Sequence, residues 1–324
     1  MTAVDLIISI DTECDKGPAW EIKKPMSFDN IIEGIPKYLN PLFEKFDIRP
    51  SYLLSPEVMQ NEQCVDLFKT LKNTELGTHL HGEFIEPEAD WAANRTKTPQ
   101  LAYDAKIEKE KLKNLTLLFE SKFSYAPKSF RAGRWGMSKS TLPFLEELGY
   151  TVDSSVCSFK THKFEKGEVN FWGAPLQPYY PSLNDFRKKG KMKILEVPAT
   201  LANLHLMKWP KPVLRRLNDN SKWHKKILGK LGRTSQVTWF RPWKSTADEM
   251  INLSTYFIEH FSNNSKPVVL NMMFHSNEIL PGTSPYVQSQ KDLDIYLDSL
   301  KYLFEFLGNN YKVKGIGLSD SRNY

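Results

Sequence analysis

The sequence contains few cysteines and no long apolar run. Its 324 residues include three cysteines, Cys14, Cys64 and Cys157, which are scattered along the chain and odd in number. Such a set argues against a disulfide framework and predicts a reducing compartment, with the cytoplasm as the default. No stretch approaches the ~20 consecutive apolar residues that a membrane-spanning helix needs. The first apolar run, residues 6–10, is short and is followed by acids, which predicts a strand and not a signal peptide.

Positive charge is concentrated in one segment. The net charge is +6, and residues 208–244 hold eleven lysines and arginines against one acid, Asp219. Tryptophans are mixed with these cations, which is typical of a surface that contacts anionic membranes. The same cations would suit a phosphate-bearing substrate. A solvated basic insertion whose tryptophans pack on the rest of the protein remains an equal alternative. No nucleic-acid-binding motif is present, so we expect no nucleic-acid partner.

Apolar runs alternate with amphipathic stretches along most of the chain. This alternation predicts a parallel sheet, with a barrel as the first choice and a doubly wound open sheet as the second. Two stretches, 160–191 and 200–245, break the rhythm and are predicted to be long loops or insertions in one domain spanning residues 1–324. Strands are predicted at 4–11, 50–54, 75–81, 129–132, 151–155, 193–198, 268–274 and 313–318. Helices are predicted at 30–46, 62–71, 101–122, 139–148, 247–261 and 290–306.

Most of the candidate chemistry lies near the carboxyl ends of the predicted strands. Barrel enzymes build their sites at this face, so we expect these side chains to converge. Asp11 and Glu13, like His79 and His81, are two residues apart and project to one side of a strand. A histidine pair with a carboxylate is a common ligand set for Zn²⁺. The further candidates on this face are Arg131, Asp153, Glu196 and His275.

Each of these features also has a plain structural interpretation. The carboxylate and histidine pairs could be incidental residues at half-exposed strand ends. His275, taken alone, is typical of a hydrogen-bonded core histidine. Arg131 and Arg134 could hold a carboxylate through a bidentate pair, or could close the top of a barrel with a salt bridge.

Taken together, the motifs resemble those of the polysaccharide deacetylase family, the NodB-homology carbohydrate esterases. The resemblance covers nearly the whole chain in motif order. A final stretch, Leu-Pro-Gly-Thr-Ser-Pro-Tyr at 280–286, is similar to a branch often encoded with surface-polysaccharide genes. The matching motifs are Ser-Ile-Asp-Thr-Glu (9–13), Glu-Leu-Gly-Thr-His-Leu-His (75–81), Phe-Arg-Ala-Gly-Arg-Trp-Gly (130–136), Asp-Ser-Ser (153–155), Leu-Glu-Val-Pro (195–198) and Phe-His-Ser-Asn-Glu (274–278).

The resemblance implies a distorted (β/α)7–8 barrel and a role for each site residue. Asp11 would be the general base, held by Arg131, and His275 the general acid, oriented by Asp153 or Glu196. Glu13, His79 and a third group would hold the metal, expected to be Zn²⁺. Residues implied to bind the substrate are Arg134, Trp135, Glu278 and Tyr286.

Two departures from the family pattern affect the metal ligands. Thr12 separates two acids that are adjacent in the family, so Glu13 must take the ligand role. The second motif normally spaces its ligands four apart, which places Glu83 opposite the second histidine. We prefer His81 as the third ligand because the strand period places it beside His79.

The resemblance implies removal of an acetyl group from an N-acylated sugar during surface-polysaccharide biosynthesis of the O-antigen or capsule type. The sugar could be linked to a nucleotide or a lipid diphosphate, with the protein in the cytoplasm or at the inner membrane face. Two other functions remain open. One is a deformylase or another amide hydrolase on the same barrel, and the other is a metal-free sugar-binding protein.

Overall fold

Eight strands form one curled sheet in the computed structural model, which describes residues 1–95, 97–218, 222–230, 236–263 and 266–323. All eight overlap the strands predicted from the sequence. They are β1 (Ala3–Thr12), β2 (Ser51–Leu54), β3 (Glu75–Leu80), β4 (Ser129–Ala132), β5 (Val152–Asp153), β6 (Leu195–Glu196), β7 (Val268–His275) and β8 (Lys312–Gly315).

The strands are parallel and follow the order β6-β5-β4-β3-β2-β1-β7. β8 lies beside the first half of β1, and β2 pairs with its second half. Nine of the ten residues of β1 are buried, as expected for a strand that is covered on both faces of a parallel sheet. The mostly parallel, curled sheet confirms the predicted α/β barrel class.

The curl ends in a seam between β6 and β7, which do not pair as strands within the described chain. Side chains bridge this seam instead. Gln177 accepts from the amide of Val269 at 2.9 Å and donates to its carbonyl at 2.9 Å, as a neighbouring backbone would. Asn271 donates to the carbonyls of Val197 and Pro198 at 3.2 and 3.3 Å. The molecule is therefore a half-barrel with an open seam.

Each of the six predicted helices overlaps a helix of the structure, and the short helices Pro56–Met59, Lys211–Leu214 and Lys222–Lys230 were not predicted. Caps explain some of the boundaries. Thr246 and Glu249 form the capping box of Ala247–Phe261, whose predicted bounds are confirmed. The helix predicted at 101–122 begins later because Asp104 caps it. The helices are Asn30–Leu39 (π-helical), Asn40–Lys45, Pro56–Met59, Glu62–Thr70, Ala105–Phe123, Thr141–Glu147, Lys211–Leu214, Lys222–Lys230, Ala247–Phe261 and Gln290–Asn310, with shorter 3₁₀ turns at Gly82–Phe84, Gln100–Ala102, Gly133–Trp135, Ser276–Glu278 and Leu318–Asn323.

The two stretches predicted as loops or insertions contain small antiparallel ribbons. Residues 160–191 hold the pairs Thr161–Lys163 with Glu168–Asn170 and Pro181–Ser182 with Asp185–Lys189. Residues 200–245 begin and end on a ribbon of Leu201–Ala202 and Thr238–Trp239. Part of this basic segment, including Asp219, lies outside the described residues. None of the helices described is long and apolar enough to cross a membrane.

Candidate metal and acid–base site

The parallel register of the sheet brings the predicted site residues to one face. β1 and β7 place Asp11 opposite His275, and β3 and β4 place His79 opposite Arg131. All four residues lie at or near the carboxyl ends of their strands. The parallel register therefore brings these four side chains together at one end of the sheet, as their positions at strand ends predicted.

Glu13 is the centre of a buried group that could hold a metal. Its Oε1 atom lies 3.0 Å from His81 Nε2 and 3.5 Å from His79 Nε2. One potential ligand atom from each residue lies within 4.8 Å of the other two. Neither ring nitrogen of His81 makes a well-directed hydrogen bond to any described residue, although both are buried. Two imidazoles and a carboxylate with this unsatisfied capacity fit a divalent cation.

Electrostatics favours the ionised form of this carboxylate. Burial alone would raise the pKa of Glu13, but His81 and Lys16 outweigh it and hold the pKa well below its ordinary range. Lys16, which the sequence analysis did not single out, is buried with its Nζ 3.4 Å from Glu13 Oε2. A lysine three residues after an acid gives no sequence signal of such burial.

Glu83, the alternative third ligand, is engaged elsewhere. Its carboxylate accepts from the amide of Thr98 at 2.6 Å and from Arg134 Nη2 at 3.2 Å. The loop that carries Arg134 passes close to His81. A Cβ atom added to Gly133 would lie only 3.2 Å from His81 Nδ1 and 2.3 Å from the carbonyl oxygen of Leu80, so this close approach requires glycine. The geometry favours His81 over Glu83, in agreement with our preference.

Arg131 holds Asp11 at the bottom of the site. It is fully buried, and its Nη1 donates to Asp11 Oδ1 at 2.7 Å. The bidentate pair that we expected is not formed, because Nη2 donates to Ser9 and Ser154 at 2.6 and 2.8 Å. Burial would raise the pKa of Asp11, but the charge of Arg131 and the nearby histidines outweigh it and lower the pKa. Asp11 is therefore kept as a carboxylate.

The partners of His275 differ from our prediction. Its Nδ1 lies 2.8 Å from Glu278 Oε1 and 2.9 Å from Arg241 Nη2, and Arg241 also pairs with Glu278. Glu278 is fully buried in this arrangement, and its role in binding substrate stays a prediction. Burial would raise its pKa, but Arg241 outweighs this effect and keeps the pKa low. Arg241 was counted only among the cations of the basic segment.

Asp153 and Glu196 are predicted to orient His275. Within the part of the chain that the structure describes, neither carboxyl group contacts that histidine. β5 and β6 place them directly opposite each other, close enough for each carboxyl group to affect the ionisation of the other. Burial raises the pKa of both carboxyls, and the neighbouring Asp153 raises that of Glu196 further. The prediction that Asp153 or Glu196 orients His275 is wrong. The position of a residue in its strand showed which end of the sheet it lies at, but not which side chain it contacts there. We expect this pair to share a proton.

The predicted substrate-binding residues on loops surround the same mouth. Trp135 is nearly buried, with its ring centroid 5.2 Å from the guanidinium carbon of Arg131. Arg134 is half-buried and bound to Glu83. Tyr286 is half-buried and contacts the ring of Trp20, which in turn contacts His275. Trp20 was missed because its loop follows β1 without any distinctive motif.

Comparison with known proteins shows a shared fold. No family model matches the sequence, and no curated protein matches it. The allantoinase Puue matches with a TM-score of 0.53 at 12% identity, covering 99% of this chain and 89% of that chain. A 4-alpha-glucanotransferase from Thermococcus litoralis gives 0.52 at 15% identity, covering 99% of this chain, which spans 40% of that enzyme. A protein assigned as a polysaccharide deacetylase from Mycobacterium smegmatis gives 0.49 at 12% identity, covering 99% and 90%.

The allantoinase and the glucanotransferase share the curled (β/α) barrel architecture, the fold class that the sequence resemblance implies. Further polysaccharide deacetylases and members of carbohydrate esterase family 4 are among the matches. The TM-scores of the allantoinase and the glucanotransferase show a common fold, and their identities of 12% and 15% leave the chemistry to the site itself.

Proposed function

We propose that this protein is a metal-dependent hydrolase that removes an acetyl group from an N-acylated sugar. One observation carries the proposal. The Glu13–His79–His81 group lies next to both a buried carboxylate and a histidine: His79 Nδ1 is 3.9 Å from Asp11 Oδ1, and Glu13 Oε1 is 3.8 Å from His275 Nε2. Amide hydrolysis needs an acceptor and a donor of protons on either side of the reacting carbon, which this arrangement supplies.

Glu13, His79 and His81 would hold the metal, for which we propose Zn²⁺. When bound, such an ion supplies Lewis-acid polarisation of the amide carbonyl and acidifies a water molecule. Asp11, ionised by its contact with Arg131, accepts a proton from the attacking water. His275 donates a proton from Nε2 to the departing nitrogen, while Glu278 holds the opposite ring nitrogen. Water and the amide are thereby converted to a carboxylic acid and a free amine.

The test is acyl release by the purified protein after reconstitution with Zn²⁺, using N-acetyl and N-formyl sugars in parallel. We expect acetate release that is lost in His79→Ala, with one bound ion per chain. Faster release of formate would make the protein a deformylase. Sugar binding without hydrolysis, with little bound metal and no effect of His79→Ala, would overturn the proposal in favour of a metal-free sugar-binding protein.

The carrier of the sugar and the cellular setting form a separate part of the proposal. We propose an acylated sugar carried on a nucleotide or lipid diphosphate, in the biosynthesis of an O-antigen or capsule in the cytoplasm. Its support is the cation at the mouth, where Lys244 Nζ lies 5.1 Å from the ring centroid of Tyr286. We also propose that residues 1–324 form one domain with insertions near 160–191 and 200–245. A separate proposal is that residues 208–244 contact the inner membrane face.

A further inference from the structure

A tight loop after β1 presents Trp20 to His275. The amide of Trp20 donates to the carbonyl of Gly17 at 3.0 Å, and the amide of Gly17 donates to the carbonyl of Glu21 at 2.8 Å. The amide of Ala19 donates to Glu21 Oε2 at 2.7 Å, so the side chain of Glu21 also closes the turn. The loop is therefore held by several hydrogen bonds, with Trp20 at its tip.

Trp20 adopts a backbone conformation that bulky residues avoid. Its φ is +59°, in the left-handed region. Such strain persists where the surroundings enforce it, and it concentrates at ligand-binding sites. The side chain of Trp20 remains half-exposed, so burial in the core does not explain the strain.

The ring of Trp20 forms an aromatic corner with two others. Its centroid lies 5.3 Å from that of His275 at an interplanar angle of 64°, and 5.4 Å from that of Tyr286 at 81°. Both contacts are of the edge-to-face type, in which the edge of one ring meets the face of the other over only part of its area. Since the side chain of Trp20 is half-exposed, apolar ring surface is left open directly beside the proposed general acid.

We propose that Trp20, packed against Tyr286, forms the platform on which the sugar ring of the substrate rests. The inference rests on the proposed function, because it takes His275 as the donor to the departing nitrogen. That nitrogen is attached to the sugar, so the ring atoms next to it must lie near His275 during proton transfer. The C–H face of a sugar ring is apolar and packs on an exposed aromatic ring. Trp20 is thereby a specificity-determining residue for the sugar part of the substrate.

The experiment compares two substrates and three variants. Trp20→Gly removes the ring but keeps the loop, because glycine enters the left-handed region freely. Trp20→Phe keeps an aromatic ring, and Tyr302→Ala removes an exposed ring, 53% accessible, from the helix Gln290–Asn310. The substrates are an N-acetyl hexosamine and a small acyclic acetamide, and thermal unfolding verifies that each variant folds.

We expect Trp20→Gly to raise KM for the sugar by about tenfold while kcat changes little, as removal of uniform binding predicts. Trp20→Phe should restore most of the affinity, and Tyr302→Ala should behave as wild type. For the acyclic acetamide, kcat/KM should be the same in all four proteins. A KM for the sugar that is unchanged in Trp20→Gly, or an equal loss with both substrates, would overturn the platform.

Failure of the proposed function gives a different result. A wild-type protein that releases no acyl group from any sugar overturns that function, and the platform with it, before any variant is compared. A wild-type protein that is active while Trp20→Gly retains full affinity overturns the platform alone.

Discussion

His275 and Glu278 contact each other within the single turn that follows β7, with 2.8 Å between Nδ1 and Oε1. The amide of His275 donates to the same oxygen at 3.1 Å. The motif His-Ser-Asn-Glu therefore orients its own histidine. Arg241, which arrives from the ribbon at Thr238–Trp239, neutralises the carboxylate from the other side. The acid side of the site thus needs no residue from β5 or β6.

Glu278→Gln should lower kcat about 100-fold, in the range typical of general acid–base catalysis, because the ring of His275 loses its negative partner. Metal content should not change, since Glu278 does not belong to the ligand group. Steady-state kinetics and metal analysis measure the two effects. Glu305→Gln, an exposed change with 45% of the side chain accessible, is the control. Full activity in Glu278→Gln would remove it from the mechanism.

Asp11 and Glu13 should separate proton transfer from metal binding, although they are two residues apart. We expect Asp11→Asn to reduce kcat by about 10²–10⁴-fold with the metal retained, because the proton acceptor is lost. Glu13→Ala should instead lose the metal. Acyl-release rates combined with metal analysis distinguish the two outcomes. Retained hydrolysis in both variants would show that the roles are wrongly assigned.

The sequence could predict those residues whose position follows from strand periodicity. Asp11, His79, Arg131 and His275 were expected at neighbouring strand ends, and the parallel register brings them together. Strand periodicity also predicted correctly that Asp153 lies on β5. It could not show that the register pairs Asp153 with Glu196 and not with His275.

Two residues that loops deliver to the site, Arg241 and Trp20, could not be predicted. Arg241 looks in the sequence like the other cations of segment 208–244, yet it is buried because its ribbon folds back onto the barrel. Trp20 depends on a turn that is closed by hydrogen bonds among Gly17, Ala19 and Glu21. Long-range placement of loops, unlike the face of a strand, leaves no periodic signal.

Added Zn²⁺ should stabilise the wild-type protein against thermal unfolding. A ligand that binds only the folded state adds about 4 kcal/mol at a thousand times its Kd. The gain should vanish in His81→Ala, because the group then retains only Glu13 and His79. Differential scanning calorimetry with and without Zn²⁺, and with chelator, measures it. An equal gain in His81→Ala would exclude His81 as a ligand.

The basic segment should bind anionic membranes if the proposed contact exists. Lys222, Lys225 and Lys226 are exposed on the helix Lys222–Lys230, and each lysine near an anionic surface adds about 1 kcal/mol. We expect co-sedimentation with vesicles that contain anionic lipid, and its loss when the three lysines are changed to glutamine.

Matched changes of Lys106, Lys109 and Lys113, on the helix Ala105–Phe123, provide the control for net charge and should leave co-sedimentation intact. If neutralising Lys222, Lys225 and Lys226 leaves partition unchanged, the membrane contact is excluded and the segment is a solvated insertion.

Glu108 should make stability depend on pH. Burial raises the pKa of this carboxyl, against the opposing hydrogen bonds from Ser138, Thr141 and Gln100. The folded protein therefore binds a proton more tightly than the unfolded chain. Its stabilising contribution is present below the unfolded pKa and is lost as pH rises through the folded pKa.

Glu108→Gln is uncharged at every pH, so the difference in free energy of unfolding between this variant and wild type should shift in favour of the variant as pH rises from 4 to 8. Urea denaturation at each pH measures the difference. Glu110→Gln, a change on the same helix at a side chain 47% accessible, should show no such trend. A difference for Glu108→Gln that stays constant with pH would mean that the pKa of Glu108 is the same in the folded and unfolded protein, with the hydrogen bonds from Ser138 and Thr141 offsetting the effect of burial.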